Sequence, residues 1–520
     1  MTALDNQLKP WVVQKYGGTS IGKSAIGIVE NIVSVYSKDY RVAVVCSARS
    51  TNTKAEGTTS RLLRATDLCL QAPPSQLQED ESPAHTQLVE AVRLDHLAAA
   101  KRDVKDQQIR SQLEVEINSQ CDSLNKILNA AQVIDEISAR TRDNVMGVGE
   151  KLSCLYMTAL LRDYGIPAEF INLDRIVPSD HKSSDEGLSQ SFYDTISTRI
   201  ADLVNEMCPN GEVPVITGYF GLVPGSLLNA VGRGYTDLCA ALTASGLQAS
   251  ELQVWKEVDG IFTADPRKVP TARLLSTITP EEASELTYYG SEVIHPFTME
   301  QVIRHRIPIR IMNVENPSGN GTVIFPDNES RHGEETPPHP PTALSRIASG
   351  FFNQTSSKQP TAVTTKHNIT VINVHSNKRT LSHGFLASIF ATMDKHCLVV
   401  DLISTSEVHV SMALHSDSEY QDFHEAVQSL RKLGQVDVIR KMCIVSLVGK
   451  QMKQLLGIAG RMFTTLGDAG VNLEMISQGA SEINISCVIR EDEELKALNV
   501  LHQHLLCQPL LHESVSSLRI

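Results

Sequence analysis

Residues 11–20, WVVQKYGGTS, join a short apolar run to a lysine, two adjacent glycines and two hydroxyls. An apolar run that meets glycines is typical of a buried strand ending in a turn. The glycines let backbone N–H groups turn toward an anion, and the lysine and the dipole of a following helix add positive charge. The segment predicts an α/β layer in which phosphate groups bind at the end of the first strand.

The same segment fits two different phosphate-binding patterns. Residues 17–24 read GGTSIGKS, which is the P-loop pattern, with Lys23 on the phosphates and Ser24 on magnesium. In the second pattern the phosphate lysine is Lys15, which precedes the glycines. A glycine-rich turn without a ligand is a third interpretation, and this segment alone leaves all three open.

Length, charge and cysteine usage bound the class of protein. A chain of 520 residues is too long for one hydrophobic core and predicts about three domains. A net charge of -13 argues against nucleic acid or an anionic membrane as the main partner. We expect no membrane span and no signal peptide. The 10 scattered cysteines are typical of reduced thiols, so we expect a cytoplasmic protein.

The first 315 residues predict an α/β domain with a mostly parallel sheet, because apolar runs alternate there with helical patterns. The predicted strands cover residues 11–15, 41–47, 168–172, 213–218, 251–256 and 309–313. Residues 71–142 are polar, with leucines at helical spacing. We interpret them as a helical insertion that projects from the sheet and has a structural or oligomer-forming role.

The rest of the chain predicts a linker and a tandem repeat. Residues 316–361 are rich in Pro, Ser and Thr, as linkers are. A βαββαβ pattern then covers residues 362–441 and begins again over 442–520. We therefore predict two small α+β domains, and the position of the last strand, 514–520, stays open.

Three further motifs combine glycines with charged side chains: VMGVGEKLS, GRGYTD and WKEVDGIFTADPR. Glu150 of the first would either receive an ammonium group or cap its own helix. Arg233 of the second offers a fork for a carboxylate, and Asp237 opens a helix. The second and third motifs follow strands, and open α/β sheets bind ligands beyond the carboxyl ends of strands.

Taken in order, these motifs resemble the aspartokinases of the amino acid kinase family, most of all the fungal type. The matching segments are KYGGTS, VCSARS followed by GTT, VGEKLS, GRGYTD and VDGIFTADPR. The resemblance implies a three-layer α/β fold followed by two ferredoxin-like ACT domains. It assigns the phosphates to Lys15, so a P-loop NTPase using Lys23 becomes the second hypothesis. A catalytically inactive amino-acid sensor is the third.

The resemblance implies that MgATP phosphorylates the side-chain carboxylate of L-aspartate, the first step of threonine and methionine biosynthesis. The implied catalytic residues are Lys15 and Asp237. The implied ATP-binding residues are Lys15, Gly17, Gly18, Asp265 and Arg267. The implied substrate-binding residues are Ser47, Thr58, Glu150, Arg233 and Thr236. Magnesium would be carried by the ATP, so no residue is assigned to the metal.

The resemblance also implies feedback regulation by an amino acid, threonine in fungal members, and a homo-oligomer formed through the ACT domains. The effector would bind in the first repeat. The implied effector-binding residues are Gly384, Phe385, Leu386, Asp401, Ser404 and Glu407.

Overall fold

The computed structural model describes most of the chain, which divides into two units. The described residues are 9–50, 56–70, 83–178, 188–221, 223, 226–227, 234–289, 294–325, 359–376, 384–406, 408–415, 420–450, 452, 455–479 and 483–507. The N-terminal unit comprises Met1–Ile261, Ser276–Ile278 and Ile294–Pro326. The C-terminal unit comprises Phe262–Leu275, Thr279–Val293 and Asp327–Ile520. Within the described residues, no helix is both long enough and apolar enough to cross a membrane.

The N-terminal unit is built on an eight-stranded sheet with the order β3-β4-β2-β1-β5-β7-β8-β6. Its strands are β1 (Trp11–Tyr16), β2 (Arg41–Cys46), β3 (Ala168–Ile171), β4 (Val213–Thr217), β5 (Glu251–Lys256), β6 (Thr277–Ile278), β7 (Ile309–Asn313) and β8 (Thr322–Ile324). Neighbouring strands are parallel, with the exception of β7 and β8. The mostly parallel sheet predicted from the sequence is therefore confirmed. Strand β8 lies inside the segment for which the sequence predicted a linker.

Helices surround this sheet. They are α1 (Gly18–Gly27), α2 (Thr58–Cys69), α3 (Ala84–Asp103), α4 (Gln107–Ile134), α5 (Ala139–Asp163), α6 (Gln190–Met207), α7 (Tyr235–Gly246) and α9 (Pro296–Ile303). A π-helical turn, Ile28–Val33, and one short turn, Ser34–Tyr36, continue α1.

The helical insertion does not simply project from the sheet, as the sequence suggested. Val92 of α3 and Ile117 of α4 are fully buried, and they belong to the same hydrophobic core as Val42 and Val44 of β2. The leucine spacing that predicted the helices is part of the stripe by which they pack, since Leu113, Leu124 and Leu128 lie in the same core. The insertion is thus part of the core of this unit.

The C-terminal unit contains an antiparallel sheet with the strand order β10-β11-β9-β12-β14-β13. Its strands are β9 (Ala362–Ser376), β10 (Leu402–Thr405), β11 (His409–His415), β12 (Gly434–Val448), β13 (Met475–Ser477) and β14 (Asn484–Arg490). Its helices are α8 (Pro280–Tyr288), α10 (Phe385–Lys395), α11 (Tyr420–Leu430), α12 (Ile458–Asp468) and α13 (Glu494–Leu501). A 3-10 turn, Glu491–Glu493, precedes α13, and a π-helical turn, His502–Leu506, follows it.

The two predicted repeats are present, but they share one sheet. In each repeat, a glycine with positive φ precedes an 11-residue helix: Gly384 (φ 84°) before α10 and Gly457 (φ 77°) before α12. The sequence predicted separate strands at 436–441 and 443–448, whereas β12 is continuous through both. Its register against β9 shifts around Met442, and Lys441 has a φ of 59°. A residue in the left-handed region bulges a strand without ending it. The segment 514–520 lies outside the described residues.

Candidate active site

A lysine–aspartate ion pair lies at the carboxyl end of the central strand β1. Lys15 is the fifth residue of β1 and Asp237 lies in the first turn of α7. The distance from Lys15 Nζ to Asp237 Oδ1 is 2.8 Å, and the two side chains are only 11% and 20% exposed. A parallel strand and a helix N-terminus thus position a lysine ammonium, and the ammonium together with helix N–H groups can bind an anion.

The two glycines that follow β1 have different structural roles. Gly17 is the N-cap of α1, and Gly18 begins the helix. A Cβ on Gly18 would lie 2.0 Å from the carbonyl oxygen of Ala48, so only glycine fits this approach to the segment after β2. The first N–H groups of a helix have no intrahelical acceptor. Phosphate oxygens could accept their hydrogen bonds.

The geometry does not favour the P-loop alternative. A P-loop needs its residues in an open turn around the phosphates. Here residues 18–27 are already helical, with a kink at Ser24, and Lys23 is an exposed side chain of that helix.

Glu150 is a buried carboxylate beside the start of α7. It is 1% exposed, and its Oε1 accepts a hydrogen bond from Thr236 Oγ1 at 2.8 Å. Burial raises the pKa of Glu150 to about 8; the hydrogen bond from Thr236 and the charge of Lys15 oppose that rise. Its Oε2 is also buried and makes no hydrogen bond of ordinary length within the described part of the chain, although the Tyr235 side chain and the Tyr219 main chain lie close enough to the carboxylate to lower its pKa. Such an oxygen is suited to receive a cationic group.

The sequence placed Glu150 wrongly in its helix. It was predicted at a glycine-rich helix start, either as a ligand or as a cap, yet it lies in the interior of the 25-residue helix α5. The neighbouring glycines serve close packing instead. A Cβ on Gly147 would lie 2.5 Å from the ring of Tyr219, and one on Gly149 would lie 2.9 Å from the Cβ of Ala48.

The candidate hydroxyl residues come from three elements of the same unit. Ser47 follows β2, and its N–H donates to the carbonyl of Tyr16 at 3.1 Å. Thr58 is the first residue of α2 and is 2% exposed. Its Oγ1 is buried and has no hydrogen-bond partner among the residues described here. Thr236, in α7, already donates to Glu150.

Four other predicted residues lie outside the described part of the N-terminal unit. Arg233 and Glu407 lie outside the described residues. Asp265 and Arg267 belong to the C-terminal unit, where Arg267 Nη2 donates to Asp265 Oδ2 at 2.9 Å. Partial burial raises the pKa of Asp265, but the hydrogen bonds from Arg267 outweigh it, and the net direction is downward.

The predicted effector residues lie in the first repeat of the C-terminal unit. Gly384 precedes α10, in which Phe385 packs on the repeat core and Leu386 is 43% exposed. Ser404 is an exposed residue of β10. Asp401 has a side chain that is only 4% exposed, and its Oδ1 lies 2.6 Å from Lys366 Nζ.

The sequence did not reveal two residues that contact predicted site residues or the chain near them. Lys366, the partner of Asp401, lies in β9 and carries no local pattern. Asp143, in α5, is 1% exposed; it accepts hydrogen bonds from Ser226 Oγ at 2.9 Å and from the N–H of Leu227 at 2.7 Å. Asp143 lies seven residues before Glu150, so both are on one face of α5. That spacing was the signal available in the sequence.

The described residues contain no cluster of three or more His, Cys, Asp or Glu side chains that could hold a metal ion.

Comparisons with known proteins agree with the fold. The model of the amino acid kinase family matches residues 10–313, and an ACT domain model matches residues 445–505. The aspartokinase of Candida albicans is 57% identical over 95% of this chain and 90% of its own length. That of Saccharomyces cerevisiae is 57% identical over 96% and 93%. Among solved structures, E. coli aspartokinase III in complex with aspartate and ADP has a TM-score of 0.68 at 24% identity, covering 95% of this chain and 99% of that one. The chain therefore belongs to the aspartokinases of the amino acid kinase family.

Proposed function

We propose that this aspartate kinase transfers the γ-phosphoryl group of MgATP to the side-chain carboxylate of L-aspartate, giving 4-phospho-L-aspartate. The observation that carries the proposal is the Lys15–Asp237 pair at the end of β1, with Glu150 and Thr236 beside it. The accepting carboxylate has an ordinary pKa of about 3.9, so it is ionised at neutral pH and needs no general base. Catalysis then depends on positioning and on charge neutralisation.

In the proposed reaction Lys15 stabilises the transferring phosphoryl group, and Asp237 orients the lysine. The N–H groups of Gly17 and Gly18 cradle phosphate oxygens at the start of α1. The ATP would carry the magnesium, which would offset part of the phosphate charge, and no residue of the chain is assigned to the metal. Asp265 and Arg267 contact the nucleotide in this proposal, which for these two residues rests on the resemblance of the VDGIFTADPR motif.

Glu150 would bind the α-ammonium of aspartate and Arg233 its α-carboxylate. The buried Oε2 of Glu150 and the raised pKa of its carboxyl support the first role, because an incoming ammonium would stabilise the ionised form. Ser47, Thr58 and Thr236 would complete the substrate site with hydroxyl groups. The buried Oγ1 of Thr58 supports this assignment.

We further propose that the product enters threonine and methionine biosynthesis and that threonine inhibits the enzyme through the first repeat. The ammonium of the threonine would bind Asp401. The carboxylate of the threonine would bind the N–H groups after Gly384, next to Phe385 and Leu386. Ser404 and Glu407 would line the same site. The ACT repeats would pair in a homo-oligomer. The ten free cysteines support action in the cytoplasm.

One assay tests the reaction directly. Purified enzyme is mixed with MgATP and L-aspartate, ADP release is followed, and hydroxylamine traps any acyl phosphate as a hydroxamate. We expect release that requires aspartate, one hydroxamate per ADP, and inhibition by threonine. ADP release without aspartate, or without hydroxamate, would contradict carboxylate phosphorylation.

A second assay tests the substrate residues. Loss of a charge-assisted hydrogen bond costs about 1.5–3 kcal/mol. Arg233→Ala is therefore expected to raise the KM for aspartate far more than the KM for ATP. Equal effects on both constants would remove Arg233 from the aspartate site.

A further inference from the structure

The segment after β2 is held at its centre by the main chain of Arg49. The Arg49 N–H donates to Ser153 Oγ at 2.8 Å, and the Arg49 carbonyl accepts the N–H of Thr58 at 3.1 Å. Ser153 lies in α5, three residues after Glu150, and Thr58 begins α2. Arg49 thus joins the two helices that carry proposed aspartate-binding residues.

The neighbours of Arg49 reach the proposed phosphate site as well. The N–H of Ser50 donates to the carbonyl of Gly18 at 2.9 Å, and Ala48 is the residue that leaves no room for a Cβ on Gly18. Residues 47–50 are therefore packed between the start of α1 and helix α5. A shift of Arg49 would move Ser47 and Thr58 together.

The side chain of Arg49 is held in place by a carboxylate of the helical insertion. It is 1% exposed, yet it carries a full charge. Its Nη1 donates to Asp95 Oδ2 at 3.0 Å, and its guanidinium carbon lies 5.9 Å from the centre of the Tyr156 ring. Asp95 belongs to α3. A buried arginine is costly unless it is paired, so the position of Arg49 depends on the carboxylate of Asp95.

We propose that Arg49 is a positioning residue for the aspartate site and that the helical insertion, through Asp95, holds it there. This rests on the proposed function, because Ser47, Thr58 and Glu150 are the substrate residues that Arg49 would align. It gives the insertion a role in substrate binding, which its sequence does not reveal. A displacement of about 1 Å in an aligned group changes rates by up to about 100-fold.

The test compares Michaelis constants of Arg49→Met, Asp95→Asn and Arg49→Lys with those of the wild type. Arg49→Met leaves Asp95 with its second partner, because Arg61 Nη1 lies 3.9 Å from Asp95 Oδ2, and Asp95 is 29% exposed and can be hydrated. We expect the KM for aspartate to rise about tenfold or more in Arg49→Met and Asp95→Asn, and the KM for ATP to change much less. Arg49→Lys retains the charge and should recover part of the loss.

A matched control is available in the same insertion. Arg93 Nη2 lies 2.6 Å from Asp122 Oδ1, and this pair joins α3 to α4 without a bond to residues 47–50 among the contacts described. Arg93→Met should leave both constants unchanged. Thermal denaturation of every variant separates loss of folding from loss of alignment.

The outcomes distinguish this proposal from the proposed function. If the wild type shows no aspartate-dependent ADP release, the proposed function is wrong. If the wild type is active and Arg49→Met and Asp95→Asn keep its KM for aspartate, Arg49 does not position the site. The proposal would also be overturned if Arg93→Met raised the KM for aspartate as much as Arg49→Met does, or if Arg49→Met and Asp95→Asn changed the KM for aspartate and the KM for ATP equally. If Arg49→Met fails to fold, Asp95→Asn and Arg49→Lys decide by the same criterion.

Discussion

Two lysine–aspartate ion pairs, Lys15–Asp237 in the N-terminal unit and Lys366–Asp401 in the C-terminal unit, differ in their surroundings. Lys15 and Asp237 are 2.8 Å apart, where a parallel strand meets the first turn of a helix. Lys366 lies in β9 and Asp401 immediately precedes β10; their charged groups are 2.6 Å apart, and the Lys366 ammonium also lies 5.1 Å from the centre of the Tyr288 ring. The first pair has helix N–H groups nearby that lack intrahelical acceptors, whereas the second has an aromatic ring.

The difference shows that an ion pair acquires its role from the elements around it. At the end of β1 the helix dipoles and the lysine add positive charge, which favours a phosphate. In the first repeat the carboxylate is the more buried partner, at 4% exposure against 22% for the lysine. A buried carboxylate favours a cation, so the second pair is suited to an ammonium ligand.

The largest effect is expected at the first pair. Lys15→Ala should lower kcat by about 100-fold or more, because the phosphoryl group loses its nearest fixed positive charge. Lys23→Ala is the matched control, since Lys23 is exposed on α1. Steady-state ADP release at saturating ATP and aspartate measures both variants. Loss of activity in Lys23→Ala with retention in Lys15→Ala would restore the P-loop interpretation.

The next effect is expected at the second pair. Asp401→Ala should weaken threonine inhibition by about tenfold or more, because an ammonium ligand loses a charged partner, and should leave the uninhibited rate nearly unchanged. Glu474→Ala is the control and should leave threonine inhibition unchanged. The N–H of Asp401 donates to Ala413 in the first repeat, and the N–H of Glu474 donates to Val488 in the second, but Glu474 is exposed. Threonine titrations at fixed aspartate compare the variants, and identical curves for Asp401→Ala and wild type would move the effector elsewhere.

The sequence predicted the first pair better than the second for a physical reason. Lys15 and the glycines after it are adjacent in the chain, so a local pattern reports them. Asp237, the partner of Lys15, lies in a second local motif, GRGYTD, so each member of the first pair is reported by its own motif. Of the second pair, the sequence singled out Asp401 alone, because Lys366 lies in no motif and meets Asp401 only in the folded unit. Glu150 was found by type but misplaced, because glycines in a helix that packs closely look the same in sequence as glycines in a turn.

The same limit explains the errors in the fold. Continuous apolar runs predicted strands β1 to β5 and β7 to within one residue at each end, since such runs are typical of strands buried on both faces. The short strands β6 and β8 were not predicted. The sequence predicted a projecting insertion because polar residues dominate its composition. Only a few residues in each helical turn, such as Val92 and Ile117, are buried in the core. The sequence predicted two strands where β12 is one, because a lysine gives no sign that it will adopt the left-handed backbone that lets a strand bulge and continue, as Lys441 does.

The third effect concerns pH and the proposed ammonium-binding carboxylate of the aspartate site, Glu150. The bonded partner of Glu150 is the Thr236 hydroxyl rather than a lysine, and burial raises the pKa of Glu150 to about 8. Below that pH an ammonium must displace a proton, so the KM for aspartate should fall almost tenfold per pH unit as pH rises toward 8. Glu150→Gln should lose this dependence and bind aspartate weakly at every pH. Measurement of the KM for aspartate from pH 6 to 9 tests this prediction. Parallel pH profiles for the wild type and Glu150→Gln would contradict it.

The same shift has a consequence for stability. Between pH 4.5 and about 8 the folded protein retains the Glu150 proton that the unfolded chain releases. The free energy of unfolding contributed by this group therefore falls as pH rises through that window. Thermal denaturation of ligand-free wild type and Glu150→Gln should show the fall in the wild type and less of it in the variant.

The smallest effect tests whether Lys366 competes with the effector. If the threonine ammonium binds Asp401, it replaces the ammonium that is already 2.6 Å from that carboxylate. Lys366→Met removes the competitor and leaves Asp401 buried and unpaired, which a ligand ammonium would relieve. We expect half-maximal inhibition at a threonine concentration lower by about threefold to tenfold, the range of a coupling of about 1 kcal/mol. We also expect a larger rise in melting temperature on adding threonine than in the wild type.

Lys268→Met is the matched control for that experiment, because Lys268 Nζ lies 2.8 Å from Glu494 Oε1 and the exposures of the two side chains, 25% and 10%, are similar to those of the first-repeat pair. It removes a comparable charge from the same unit, so it should lower stability without tightening inhibition. Weaker inhibition in Lys366→Met would mean that the lysine supports the effector rather than competing with it. Equal tightening in both variants would mean that loosening the unit, and not release of Asp401, changes the response to threonine.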